Sequence, residues 1–139
     1  MGRSVKCLVL GAAGFLGVNL VDRLVAEGHK PVCGRRKRTN VIPLRSRHLP
    51  LANADLDEPG ELVAAMAGKD VVFHLAAHYP RTSTRPLDDL FVGLKRTRNV
   101  FDAAAKAGVR RMVFVSSTAT VSGAANRAST EADTFEHAP

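Results

Sequence analysis

Short apolar runs alternate along the chain with longer segments in which apolar residues recur at helical spacing. Each run ends at glycine or at polar residues, which is typical of strands buried on both faces of a parallel sheet. The runs predict five strands, over Lys6–Leu10, His29–Gly34, Leu49–Ala54, Val71–Ala76 and Met112–Val115. The segments between them predict helices over Phe15–Glu27, Asp57–Met66 and Leu87–Ala107, with loop or irregular helix over Arg35–Arg47. This alternation predicts an α/β fold, a doubly wound parallel sheet of strand order 3-2-1-4-5.

The length and composition fit a single domain that spans residues 1–139. The chain has 139 residues, of which 45% are hydrophobic, and it contains no linker or internal repeat. Its first apolar run, Cys7–Leu10, is ended by Gly11 and is too short for a signal peptide or a membrane span. We therefore expect a cytoplasmic protein without membrane contact. Cys7 and Cys33 fall in predicted strands, where we expect reduced, buried thiols.

Three glycines follow the first predicted strand and open the first predicted helix. They lie at every third position in Gly11-Ala12-Ala13-Gly14-Phe15-Leu16-Gly17. Gly11 would permit a tight turn, Gly14 would let backbone N–H groups approach a pyrophosphate, and Gly17 would let the helix pack closely on the strand. The helix N-terminus would add a partial positive charge. The hypothesis is a Rossmann-type dinucleotide site, and the alternative is a loop that merely turns.

The net charge of +7 comes from one segment of the chain. Between His29 and Ala54 there are seven bases and no acid, and the remaining bases equal the acids in number. An NAD site usually carries an acidic residue about 20 residues beyond the glycine loop, at the end of the second strand. Here that place is held by Arg35-Arg36-Lys37-Arg38. Because guanidinium groups bind a 2′-phosphate that a carboxylate would repel, NADP(H) is the expected cofactor and NAD(H) the less favoured one.

The basic segment has two other interpretations. The bases could simply face water. Nucleic-acid binding is disfavoured, because no aromatic residue interleaves the bases to stack on nucleotides.

Three further segments carry motifs at the ends of predicted strands. Asp55-Leu56 follows the third strand, His74-Leu75-Ala76-Ala77 closes the fourth, and Ser116-Ser117-Thr118 follows the fifth. Together with the glycine loop and with Arg98-Asn99-Val100 in the preceding helix, they resemble the extended short-chain dehydrogenase/reductases, a group that includes epimerases and dehydratases. The resemblance covers nearly the whole chain.

The resemblance implies a nicotinamide cofactor along the carboxyl edge of the sheet. It implies that the Asp55 carboxylate takes the adenine amino group and that the segment after His74 lies along the cofactor. No metal is expected. With the glycine loop and the basic segment, the candidate cofactor-binding residues are Gly11, Ala13, Gly14, Phe15, Leu16, Gly17, Arg35, Arg36, Arg38, Asp55, Leu56, Leu75, Ala76, Ala77 and Ser116.

For catalysis, the resemblance implies that Thr118 hydrogen-bonds the reacting oxygen of the substrate. The neighbouring Ser116 and Ser117 hydroxyls could instead satisfy backbone groups at the strand end. The family's Tyr-x-x-x-Lys pair is absent, because the sole tyrosine, Tyr79, has Ser83 four positions on. We therefore expect an N-terminal Rossmann part, truncated before the catalytic Tyr-x-x-x-Lys helix and inactive alone. His78 and Tyr79 fall where the mouth of a substrate site would lie.

The helix over Leu87–Ala107 departs from the family pattern. Where relatives usually carry Asn-Val-x-Gly-Thr, this chain has Gly93-Leu94-Lys95-Arg96-Thr97, so that Gly93 replaces the asparagine and Arg96 the glycine. The resemblance also implies a homodimer through this helix.

The expected function is that of an NADP(H)-dependent oxidoreductase or epimerase/dehydratase acting on a hydroxyl or carbonyl substrate, such as a nucleotide sugar, an aldehyde or a ketone. The alternative is a non-catalytic NADP-binding sensor or interaction module.

Overall fold

Five parallel strands form one sheet with helices on both faces. The computed structural model describes residues 4–78, 82–117, 120–121 and 127–133. The strands are β1 (Cys7–Leu10), β2 (Val32–Arg35), β3 (Leu51–Asn53), β4 (Val71–His74) and β5 (Arg111–Phe114). The helices are α1 (Phe15–Ala26), α2 (Ile42–Arg45), α3 (Pro59–Met66) and α4 (Pro86–Lys106). The sheet order β3-β2-β1-β4-β5 confirms the doubly wound α/β fold.

The two faces of β1 are buried in separate apolar cores. Leu8 and Leu10 belong to the core beneath α3 and α4, which includes Leu62 and Val100. Val9 belongs to the opposite core beneath α1 and α2. Because both faces are covered, the strand is apolar throughout, and its carboxyl end lies at the centre of the sheet edge.

Several predicted strand boundaries were wrong by a few residues. β2 begins at Val32, not at His29, and β3 is shorter than predicted at both ends. β4 ends at His74, not at Ala76, because the chain there turns onto the glycine loop. Leu75 N still donates to Leu10 O at 3.0 Å, but a Cβ on Gly11 would lie 2.9 Å from Ala76 N. The predicted loop or irregular helix after β2 contains the short α2.

The buried side of α1 differs from the apolar stripe read from the sequence. Phe15 and Leu16, which contribute to the helical spacing, are exposed at 85% and 53%. The buried residues are Gly17 and Val21. A Cβ on Gly17 would lie 2.1 Å from Gly11 O, so the helix contacts the loop through its backbone. Small residues therefore set the packing of this helix, and large apolar ones at its start face solvent.

Buried polar and sulfur groups in the sheet are few among the described residues. His74 is 1% exposed, and neither ring nitrogen has a hydrogen-bond partner in this part of the chain. Burial lowers the pKa of its imidazole. Cys7 and Cys33 are free and buried, as predicted, and burial raises the pKa of Cys33 to about 11. Because the thiolate is the reactive form of cysteine, a raised pKa disfavours reaction at this residue.

No helix in the described part of the chain is both long enough and apolar enough to cross a membrane.

Candidate functional site

A cavity of about 520 Å³ lies at the carboxyl edge of the sheet, beyond the ends of β1 to β4. Between β1 and β4 the strand order reverses direction, and ligands of open α/β sheets bind at such switch points. The volume is in the range of small-molecule sites. The cavity is lined by Leu10, Gly11, Ala13, Gly14, Gly34, Arg35, Arg36, Thr39, Asn40, Ala54, Asp55, Leu56, Leu75, Ala76, Ala77, His78 and Arg96.

The first wall of the cavity is the backbone of the glycine loop. Gly11 has φ +83°, which only glycine adopts readily, and its carbonyl accepts the N–H of Gly14 at 3.0 Å. Gly14 then caps α1 with extended backbone. The first N–H groups of a helix have no hydrogen-bond partner within the helix. In α1 these groups come directly after Gly14, which lines the cavity. This wall therefore offers amide donors to an anion.

Three predicted cofactor residues of the loop do not line the cavity. The side chains of Phe15 and Leu16 are exposed, so only their backbone N–H groups remain candidates for a ligand contact. Gly17 is buried against the carbonyl of Gly11 and supports the loop from behind.

The second wall is the basic segment that follows β2. Arg35 and Arg36 line the cavity, whereas Arg38 is exposed and lies outside it. Arg35 Nε is buried and has no hydrogen-bond partner among the described residues. A buried guanidinium donor without an acceptor is costly, and an anionic ligand would satisfy it.

Thr39 and Asn40 also line this wall, and neither was predicted from the sequence. A turn brings them in: Arg36 N donates to Thr39 Oγ1 at 3.0 Å, and Thr39 N donates to Arg36 O at 2.9 Å. Asn40 Oδ1 accepts the N–H of Ile42 at the start of α2. The Thr-Asn pair directly after the basic run was the available signal, because both residue types form such turns.

Asp55 and Leu56 form the third wall, directly after β3. Asp55 Oδ1 accepts the N–H of Asp57 at 3.2 Å, which closes a tight turn. From α4, Asn99 Nδ2 donates to the carbonyl oxygen of Leu56 at 2.8 Å. The loop that presents the Asp55 carboxylate is thus tied to a long helix.

The fourth wall is the segment after β4, with one residue of α4 beside it. Leu75, Ala76, Ala77 and His78 follow one another along the cavity, and Arg96 reaches it from α4. Ser116 is exposed and does not line the cavity. Thr118 and Tyr79 lie outside the described residues.

These walls fit a dinucleotide. The loop has backbone donors and no side chain at Gly11 or Gly14, the basic wall has an unpartnered buried donor, and the opposite wall has the Asp55 carboxylate. The described residues include no cluster of histidine, cysteine and acidic side chains that could hold a metal ion.

Known proteins match the chain along most of its length. The model of the NAD dependent epimerase/dehydratase family matches residues 7–139. The 3 beta-hydroxysteroid dehydrogenase/Delta 5-->4-isomerase of Mycobacterium tuberculosis is 32% identical over 127 residues, which are 87% of this chain and 34% of that protein. The UDP-glucose 4-epimerase of Mycolicibacterium smegmatis is 36% identical over 129 residues, which are 86% of this chain and 41% of that protein.

Solved structures show the same architecture. The crystal structure of a short-chain dehydrogenase/reductase superfamily protein from Agrobacterium tumefaciens with bound NAD superposes with a TM-score of 0.66 at 28% identity. The match covers 83% of this chain and 33% of that one. The chain thus spans well under half the length of each of these three proteins.

Proposed function

Because the chain belongs to the NAD dependent epimerase/dehydratase family, we propose that its cavity binds NADP(H) in preference to NAD(H), as part of a hydroxyl- or carbonyl-transforming enzyme. One observation carries the preference for the phosphorylated cofactor. Arg35 Nε is buried and without a partner in the described part of the chain, and Arg36 lines the cavity next to it. A 2′-phosphate would supply the missing acceptor.

The carboxylates of the site support the same proposal. Asp55 is the one acidic residue among the described residues that line the cavity, and it follows β3, not β2. A carboxylate at the end of β2 would accept the ribose hydroxyls of NAD and repel a 2′-phosphate. With arginines there instead, the adenosine end of the site is attractive to the additional charge of NADP(H).

The residues of the chain would divide the binding between them. The glycine loop would hold the pyrophosphate through backbone N–H groups, Arg35 and Arg36 the 2′-phosphate, and Asp55 the adenine amino group. When bound, the nicotinamide would give or take up a hydride. Two of the relatives are named for a hydroxysteroid and for UDP-glucose, which supports a substrate with a hydroxyl or carbonyl group. Nucleotide sugars, aldehydes and ketones are the classes to test.

Calorimetric titration with NADPH and with NADH tests the cofactor preference. We expect NADPH to bind about ten- to a hundredfold more tightly, the value of one good charged contact. Replacing both arginines (Arg35→Ala with Arg36→Ala) should remove most of this difference. Arg45→Ala is the matched control: it removes one exposed base of the same segment outside the cavity and should leave the difference intact. Equal dissociation constants in the unmodified chain would contradict the proposal.

We also propose that two copies of the chain associate through α4. Its described side chains include large apolar ones that are more than half exposed, namely Leu87, Leu90, Phe91 and Leu94. A patch of this kind is typical of an interaction surface. Sedimentation velocity over a range of concentrations checks the proposal, and a monomer at every concentration would count against it.

A further inference from the structure

Arg96 is one of the residues that depart from the family pattern in the sequence, and its side chain joins two walls of the cavity. It lies in the middle of α4 with its side chain 23% exposed. Of the described residues that line the cavity, it is the one that α4 contributes. Its guanidinium binds Asp57 on one side and His78 on the other.

The contact with Asp57 is a bidentate ion pair across 39 positions of sequence. Arg96 Nη2 donates to Asp57 Oδ2 at 2.5 Å, and Arg96 Nε lies 3.1 Å from both carboxylate oxygens. The pKa of Asp57 is held below its ordinary value, chiefly by this hydrogen bond. Asp57 is two residues beyond Asp55 and donates its N–H to it, so the ion pair holds the wall that follows β3.

The contact with His78 fixes the wall that follows β4. Arg96 Nη1 lies 3.0 Å from His78 Nδ1, and a guanidinium can only donate, so Nδ1 is the acceptor. The imidazole proton is then on Nε2, which donates to Asp89 Oδ1 at 2.7 Å. Both ring nitrogens are engaged within the protein. His78 therefore serves as a link between segments, and a role in proton transfer would require this link to break.

Resting on the proposed cofactor function, we infer that Arg96 is a positioning residue of the dinucleotide site. By binding Asp57 and His78 together, it holds the walls after β3 and β4 at a fixed separation before the ligand arrives. A site ordered in advance loses less conformational entropy on binding. If residue 96 were glycine, the wall after β3 would still be bound to α4 through Asn99. The positioning acts on the adenine side and is independent of the 2′-phosphate.

The experiment compares Arg96→Met with the control Arg98→Met in calorimetric titrations with NADPH, NADH and 2′,5′-ADP. Methionine keeps the apolar stem of the side chain but cannot bridge the two partners. Arg98 is exposed on the same helix and lies outside the cavity. Arg96→Met should weaken all three ligands by a similar factor, about tenfold, and leave the NADPH-to-NADH ratio unchanged. Arg98→Met should bind like the unmodified chain.

A second comparison separates positioning from direct contact. In a chain that carries Asp57→Ala and His78→Ala, Arg96 has lost both partners, so Arg96→Met should cost no further affinity. A further tenfold loss in that background would mean that the guanidinium touches the ligand itself, and it would overturn the positioning role. Circular dichroism and thermal unfolding establish that each variant is folded. If Arg96→Met does not fold, Arg96→Lys is used instead. Lysine keeps the positive charge but cannot bind two partners through a planar guanidinium, so the same pattern of affinities is expected.

The remaining outcomes separate this inference from the proposed function. If the unmodified chain binds NADPH and folded Arg96→Met or Arg96→Lys binds it equally well, the positioning role is wrong and the cofactor function stands. If Arg96→Met changes the NADPH-to-NADH ratio, the residue acts on the 2′-phosphate, and the inference is again wrong. If the unmodified chain binds none of the three ligands, the proposed function fails and the inference with it.

Discussion

The two sides of the cavity are built in different ways. On the side of β1, the wall is backbone: the turn at Gly11, the cap at Gly14 and the contact of Gly17 with the loop. On the far side, the wall depends on side chains, with Arg96 of α4 bound both to Asp57 and to His78. At Gly11 and Gly17 the backbone wall has no room for a Cβ, whereas the side-chain wall depends on the atoms of Arg96.

The difference determines how each wall should respond to substitution. Adding a methyl group at Gly11 or Gly17 forces main-chain atoms apart, because the atoms it would meet belong to the backbone. Removing the Arg96 side chain breaks the link between the two loops but leaves the sheet and its cores in place. A substitution at Gly17 should therefore lower stability and binding together, and a substitution at Arg96 should lower binding alone.

The largest expected effect is that of Gly17→Ala. The new Cβ would lie 2.1 Å from Gly11 O and 2.7 Å from the Ala12 backbone, so α1 must move away from the loop. Overpacking of this kind should lower the free energy of unfolding by about 3 kcal/mol and abolish dinucleotide binding. Urea unfolding measures the first effect and calorimetry the second.

Gly60→Ala is the control for this substitution. Gly60 lies in α3, and a Cβ there meets nothing within 4 Å, so alanine should leave stability equal or slightly higher. If Gly17→Ala proved as stable as Gly60→Ala, the close contact between α1 and the loop would be wrong.

Gly14→Val should have a smaller effect on stability but a large one on binding. Gly14 has φ −79°, which any residue adopts, and a Cβ there meets only Gly11 O, at 3.3 Å. The chain should therefore fold, while the branched side chain keeps a pyrophosphate from the backbone. We expect NADPH affinity to fall by at least about a hundredfold, with Gly14→Ala in between. Unchanged affinity in a folded Gly14→Val protein would refute the assigned role.

The same contrast explains how much could be predicted from the sequence. The strand order and the glycine loop follow from local patterns, since Gly11, Gly14 and Gly17 are close in the chain. The exposure of Phe15 could not be foreseen, because helical spacing does not say which side of a helix is buried when glycine supplies the contact. Nor could the partners of Arg96, since they lie 39 and 18 positions away. The sequence marked that residue only as a departure from the family pattern.

The smallest expected effect concerns β4, whose continuation contacts the glycine loop at Ala76 and Arg96 at His78. His74 ends this strand, packs its ring 5.1 Å from that of Phe114, and is buried. Burial lowers the pKa of its imidazole, so below the ordinary value of about 6.5 the unfolded chain takes up a proton that the folded chain does not. Stability should therefore be lost as the pH falls from 6.5 toward the folded pKa, by at most about 1.4 kcal/mol per pH unit.

His74→Leu removes the titrating group and should flatten the dependence of urea midpoints on pH between 7 and 5.5, a range chosen to bracket about 6.5. His48→Asn, which removes an exposed imidazole at a residue with φ +49° that asparagine tolerates, is the control for the loss of a histidine elsewhere in the chain. An equal slope in His74→Leu would show that the buried ring does not set the acid sensitivity of the strand that serves both walls.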